Sequence, residues 1–128
     1  MLIFGHPWVD SQRFVKVFSI EEIARSKAED ILLLEPINVS IDLIRHCRDH
    51  SLPFAVTISN IREAIFANAL KAAYIVSEHE QAITVQKIAE EYLFDTKVLV
   101  LVEDERKIET IARFGVDGVI FPEAIVQV

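Results

Sequence analysis

The stretch that decides the fold runs from Ala72 to Val126: AAYIVSEHEQAITVQKIAEEYLFDTKVLVLVEDERKIETIARFGVDGVIFPEAIV. AAYIVS is apolar and β-rich, EHEQAITVQKIAEEYL has helical spacing, and KVLVLVE is a continuous apolar run. DERKIETIARFG follows as a short helix and DGVIF as a last strand. A short apolar run without alternation suits a strand covered on both faces. Strands alternating with helices imply a parallel sheet with right-handed crossovers.

The same pattern extends upstream. DILLLE (30–35) is a buried strand closed by Pro36, and Ser40 is placed to cap a helix with Ile41, Ile44 and Cys47 on one face. PFAVTI (53–58) is the next strand, with Ser59 as the cap of a helix whose face is Ala64, Ile65, Asn68 and Ala69. Ser19-Ile20-Glu21-Glu22 and Ser77-Glu78-His79-Glu80 have the form of capping boxes, and Asp104 is placed to cap the last helix. In the first eighteen residues, Leu2–Phe4 and FVKVF (14–18) are short strands. FVKVF alternates, which suits an edge strand or a dimerisation arm.

The expectation is one domain over residues 1–128. It is a three-layer Rossmann-like or flavodoxin-like α/β domain with a mainly parallel sheet of five to six strands. A 321456 strand order would mark the first form and 21345 the second. GVDGVIF also occurs in (βα)8 barrels, but 128 residues is about half of what a barrel needs.

Composition bounds the function classes. The chain is 52% hydrophobic with a formal net charge of −7, and its mean hydropathy is +0.31. No run approaches the roughly 20 apolar residues of a membrane span. The start, MLIFGHPWVDSQR, lacks the form of a signal peptide, so a cytoplasmic location is expected. Arg45/Arg48 and Arg106/Lys107 are diluted by acids, which excludes a nucleic-acid surface. Cys47, the single cysteine, has no disulfide partner and reads as a buried inert thiol.

Ligands of open α/β sheets bind outside the carboxyl ends of the strands. Those ends carry Glu35, Asn38, Ser59, Ser77, Glu78, His79 and Asp104, the candidate cofactor-binding rim. Carboxylates are natural ligands of Mg²⁺ or Ca²⁺, so Glu35, Glu78, Glu103, Asp104 and Glu123 are the candidate metal ligands. Glycine-rich phosphate turns are missing: the only glycines are Gly5, Gly115 and Gly118. His46 and Cys47, adjacent on a helix, do not face each other as a base and nucleophile would.

On AYIVSEHE, KIAEEYL, KVLVLVEDE and ARFGVDGVIFPEAIV the chain resembles the nucleotide-binding N-domains of potassium-transport regulators, the Trk-A/RCK family. The resemblance implies a Rossmann-like regulatory domain. Ser59 or Asn60 stands where the family's ribose-holding acid is expected, and the glycine motif is lost. DILLLEP and IDLIRHCRDHSLPFAVTIS are also similar to response-regulator receiver domains, with Glu35 in place of the phosphoacceptor Asp and Ser77 in place of the lysine.

The expected function is therefore a non-catalytic regulatory or partner-binding domain without a cofactor, self-associating or bound to a protein partner. The alternatives are a small enzyme using rim carboxylates with a divalent cation, and a non-phosphorylatable receiver-like interaction module.

Overall fold

A computed structural model describes residues 1–128. Eight strands form one sheet: β1 (Leu2–Phe4), β2 (Phe14–Lys16), β3 (Ile31–Leu34), β4 (Phe54–Thr57), β5 (Tyr74–Ser77), β6 (Lys97–Leu101), β7 (Gly118–Ile120) and β8 (Ile125–Gln127). Helices α1 (Ile20–Arg25), α2 (Ile37–Asp49), α3 (Ile61–Ala69), α4 (His79–Glu91) and α5 (Ile108–Arg113) fill the connections from β2 to β7. The β1–β2 connection carries no helix, and β7 passes to β8 through one tight turn, Pro122–Ala124. Every strand pair is parallel, in the order β1-β7-β6-β5-β4-β3-β2-β8.

The parallel α/β expectation holds, but the five-to-six-strand, three-layer form does not. All buried apolar helix residues, from Ile23 to Ile111, pack in one cluster with Val15, Leu32, Val56, Ile75, Val100 and Val119 of the sheet. The other sheet face buries Phe4, Phe14, Ile31, Leu33, Ala55, Val76, Leu99 and Ile120 with Ala124, and no α-helical residue joins them. That face covers itself by curling. Laid flat, β1 and β2 would be six strand spacings apart, about 29 Å. Instead the Phe4 and Phe14 rings meet edge to face at 5.0 Å, and Tyr74 closes on them at 5.5 and 5.6 Å. Each such pair is worth about 0.5–1.5 kcal/mol beyond its area. The sheet is a curled half-barrel.

Two glycines permit that curl. Gly118 lies so close to β1 that a Cβ there would be 2.7 Å from the Leu2 backbone oxygen. Gly5, at φ +89°, would place a Cβ 2.8 Å from the Ala124 nitrogen, where the two edges of the sheet converge. Only glycine meets both demands at that corner.

The strand order matches neither 321456 nor 21345. Phe14–Lys16 is no edge strand: β3 and β8 flank it, and Phe14 and Val15 are fully buried. β1 and β8 are the edges. Chain length misled because the strands are only three to five residues long and two connections lack an α-helix.

Several caps also differ. Ser19 caps α1 as expected, accepting from Glu22 N–H. α2 starts at Ile37 behind Pro36, so Ser40 lies inside it and donates to the Glu35 carbonyl at 2.6 Å. Asn60, not Ser59, caps α3, and Ser59 Oγ instead donates to Glu63 Oε1 at 2.7 Å. α4 has Glu78 at its cap with no side-chain bond, while the buried Ser77 hydroxyl donates to the Glu78 carbonyl. The buried face of α3 is Ala64 and Ala67, and Ile65 is exposed. No helix is long and apolar enough to cross a membrane.

Candidate functional site at the carboxyl ends of the strands

Parallel ladders carry all strand carboxyl ends to one edge, and the residues that follow them form its rim. Ser59, Ser77 and Glu78 meet there, because β4 and β5 are neighbours in register. With Thr57, Gln81 and Leu101 they line a cavity of about 360 Å³. Its polar groups are hydroxyls, an amide and one exposed carboxylate, a set suited to hydrogen bonding rather than to nucleophilic attack.

The other rim candidates disperse. Asn38 lines a separate cavity of about 320 Å³ between α2 and α3, beside Arg62, Glu63 and Phe66. Glu63 Oε2 is buried there without a hydrogen-bond partner. Glu35, Glu103 and Glu123 are exposed. His79 packs against the Phe114 ring at 6.0 Å, and its Nε2 is buried without a partner. Asp104 does cap the turn before α5, accepting from Arg106 N–H at 2.9 Å. Its carboxylate is also gripped by the Arg106 guanidinium at 3.0–3.2 Å. That bond and the Arg106 N–H hold the Asp104 carboxyl below the ordinary carboxylate range. No three His, Cys, Asp or Glu side chains gather closely enough to hold a metal ion. The candidate ligands Glu35, Glu78, Glu103, Asp104 and Glu123 therefore form no such cluster.

A larger groove joins Glu105, just after the carboxyl end of β6, to the chain that follows β1. Ile3, His6, Trp8 and Val9 face Glu105 and Ile108 across a cavity of about 530 Å³. Gly5 and Pro7 turn the chain after β1, and the Gly5 N–H donates to Ser11 Oγ at 3.0 Å. His6 organises the loop: its Nδ1 accepts from Trp8 N–H at 3.1 Å, and its Nε2 bonds the Glu105 carboxylate. Accepting at Nδ1 assigns the ring proton to Nε2, the nitrogen that faces the carboxylate. The imidazole is wedged between Trp8, at 5.1 Å, and Phe121, at 5.5 Å. Trp8 itself is 87% exposed.

Sequence reasoning places Glu105 at a strand's carboxyl end and offers Trp8 as an anchor for self-association, but does not join them through His6, because His6 and Glu105 are 99 residues apart. The one local signal was the turn-forming Gly5-His6-Pro7-Trp8. Cys47 is fully buried in the helix-side core, as expected. Burial pushes its thiol up to about 11, so the reactive thiolate is scarce at neutral pH. Neither a protein-family model nor a curated protein sequence matches the chain.

Proposed function

We propose that the chain is a non-catalytic, partner-binding regulatory domain that works through its carboxyl edge. The observation that carries this reading is Trp8: the only tryptophan in the chain is 87% exposed on a loop whose backbone is held in place. Leaving so large an apolar ring in water is costly, and fixed aromatic anchors of this kind dominate interface energetics. Val9 and Phe18 are also exposed nearby in the chain, adding apolar surface. A dinucleotide role is disfavoured by the turn after β3, where Pro36 at the cap of α2 removes an N–H that a pyrophosphate would use.

A photocrosslinking amino acid placed at Trp8, and separately at Lys97 on the opposite edge, tests the reading in the native host. Adducts of defined mass at position 8 and none at 97 are expected. Equal labelling at both positions, or none at either, would remove the carboxyl edge as the docking surface.

A further inference from the structure

The groove beside Trp8 has an unbalanced charge. Arg106 is neutralised by Asp104 across three contacts, and Glu109 is paired with Arg113 at 2.7 Å. Glu105 remains. One of its oxygens receives the His6 Nε2 proton, and its other oxygen has no hydrogen-bond partner. One imidazole ring away stands the exposed indole. The remaining walls, Ile3, Val9 and Ile108, are aliphatic.

An exposed indole face attracts a cation through its quadrupole, best of the aromatic rings. A carboxylate beside it supplies the counter-charge, and an aliphatic wall suits a hydrocarbon stem. Resting on the partner-binding reading above, we propose that this groove takes a cationic side chain of a basic partner segment, arginine or lysine, laid on Trp8 with its charge on Glu105. The chain's net charge of −7 favours approach of such a partner. His6 acts as a positioning residue. Its two bonds fix the indole and the carboxylate relative to each other before the ligand arrives, which reduces the ordering cost of binding.

Because Trp8 is the only tryptophan, its emission reports the groove directly. The probes are N-acetylarginine amide and N-acetyllysine amide, with N-acetylcitrulline amide and N-acetylnorleucine amide as uncharged counterparts. Saturable emission changes are expected for the two cations, with the uncharged pair weaker by about fivefold or more. Glu105→Gln should weaken the cations by a similar factor, and Glu109→Gln, already paired elsewhere, by less than about twofold. His6→Gln keeps a donor toward Glu105 but loses the Trp8 contact, so it should shift the unliganded emission as well as affinity. Equal binding of charged and uncharged probes would overturn cation recognition. So would no emission change with any probe, or an affinity indifferent to Glu105→Gln. These results leave the crosslinking result at position 8 untouched, so the failure of this proposal is distinct from failure of the partner-binding reading.

Discussion

The two ends of the half-barrel bond their polar side chains over different ranges. At the amino ends of the strands the side chains are bonded to their own chain. Asp30, with its side chain 1% exposed, takes Arg13 at 2.8 and 3.0 Å and the Lys27 N–H at 2.8 Å. Thr96 donates to the Ala72 carbonyl at 2.6 Å. Asp117 accepts from the Val98 N–H at 2.8 Å, and buried Gln86 accepts the Asp117 N–H at 3.0 Å. These bonds tie the strand starts to one another and to the helices. At the carboxyl ends the side chains also bond their own chain, but mostly in local capping contacts near the surface such as Ser59–Glu63 and Asp104–Arg106, and Glu63 and His79 each keep a buried atom without a partner. The expectation is that stability depends more on the amino edge, whose bonds are the more buried and link separate strands, and that the carboxyl edge is freer for contact.

The largest expected effect comes from Asp30→Ala. Removing a buried carboxylate that holds three donors, two of them on a charged guanidinium, should cost about 2–3 kcal/mol in urea unfolding. The Arg13 bond holds the Asp30 carboxyl below its ordinary value of 3.8, so ionised Asp30 favours the folded state. That contribution is complete at neutral pH and is lost as the pH falls below 3.8 through the folded value. Wild type should therefore lose its advantage over Asp30→Ala in strong acid, and a difference unchanged down to pH 2 would deny the linkage. Next, Thr96→Val keeps the shape but removes the buried hydroxyl bond, for about 1–1.5 kcal/mol. Gly5→Ala sharpens the comparison differently, since it strains the corner where the sheet edges converge. About 1–3 kcal/mol is expected from the positive φ and the Ala124 contact together. Cys47 should resist a thiol reagent at pH 8 in the folded protein and react once the chain is unfolded. The smallest effects belong to the carboxyl edge, where Ser59→Ala and Glu78→Ala should each stay within about 0.5 kcal/mol.

The strands were legible where they were long and apolar. KVLVL and ILLL declare themselves, and the parallel sheet follows from the helices between them. β8 was not, because three residues after a tight turn carry no period. The curl was not legible either. It depends on Phe4, Phe14 and Tyr74 meeting from three strands, a contact no local window contains. Caps were misplaced where a serine was drawn into another bond: Ser40 to a carbonyl, Ser59 to Glu63, Ser77 to the backbone. Of the candidate site, Ser59, Ser77 and Glu78 were recoverable because strand ends on neighbouring strands must meet. His6 and Glu105 were not, since only the docking of β1 beside β7 joins them.

The division between the two edges is tested most directly by the melting temperatures of two matched triple variants. One carries Asp30→Ala, Thr96→Val and Asp117→Ala at the amino edge. The other carries Ser59→Ala, Glu78→Ala and Glu105→Ala at the carboxyl edge. For a domain of this size each kcal/mol is worth about 3–5 °C. The carboxyl-edge triple should melt within about 4 °C of the wild type, and the amino-edge triple more than about 10 °C lower. Two triples melting within about 3 °C of each other would contradict the division, because stability would then be spread evenly over both ends of the sheet.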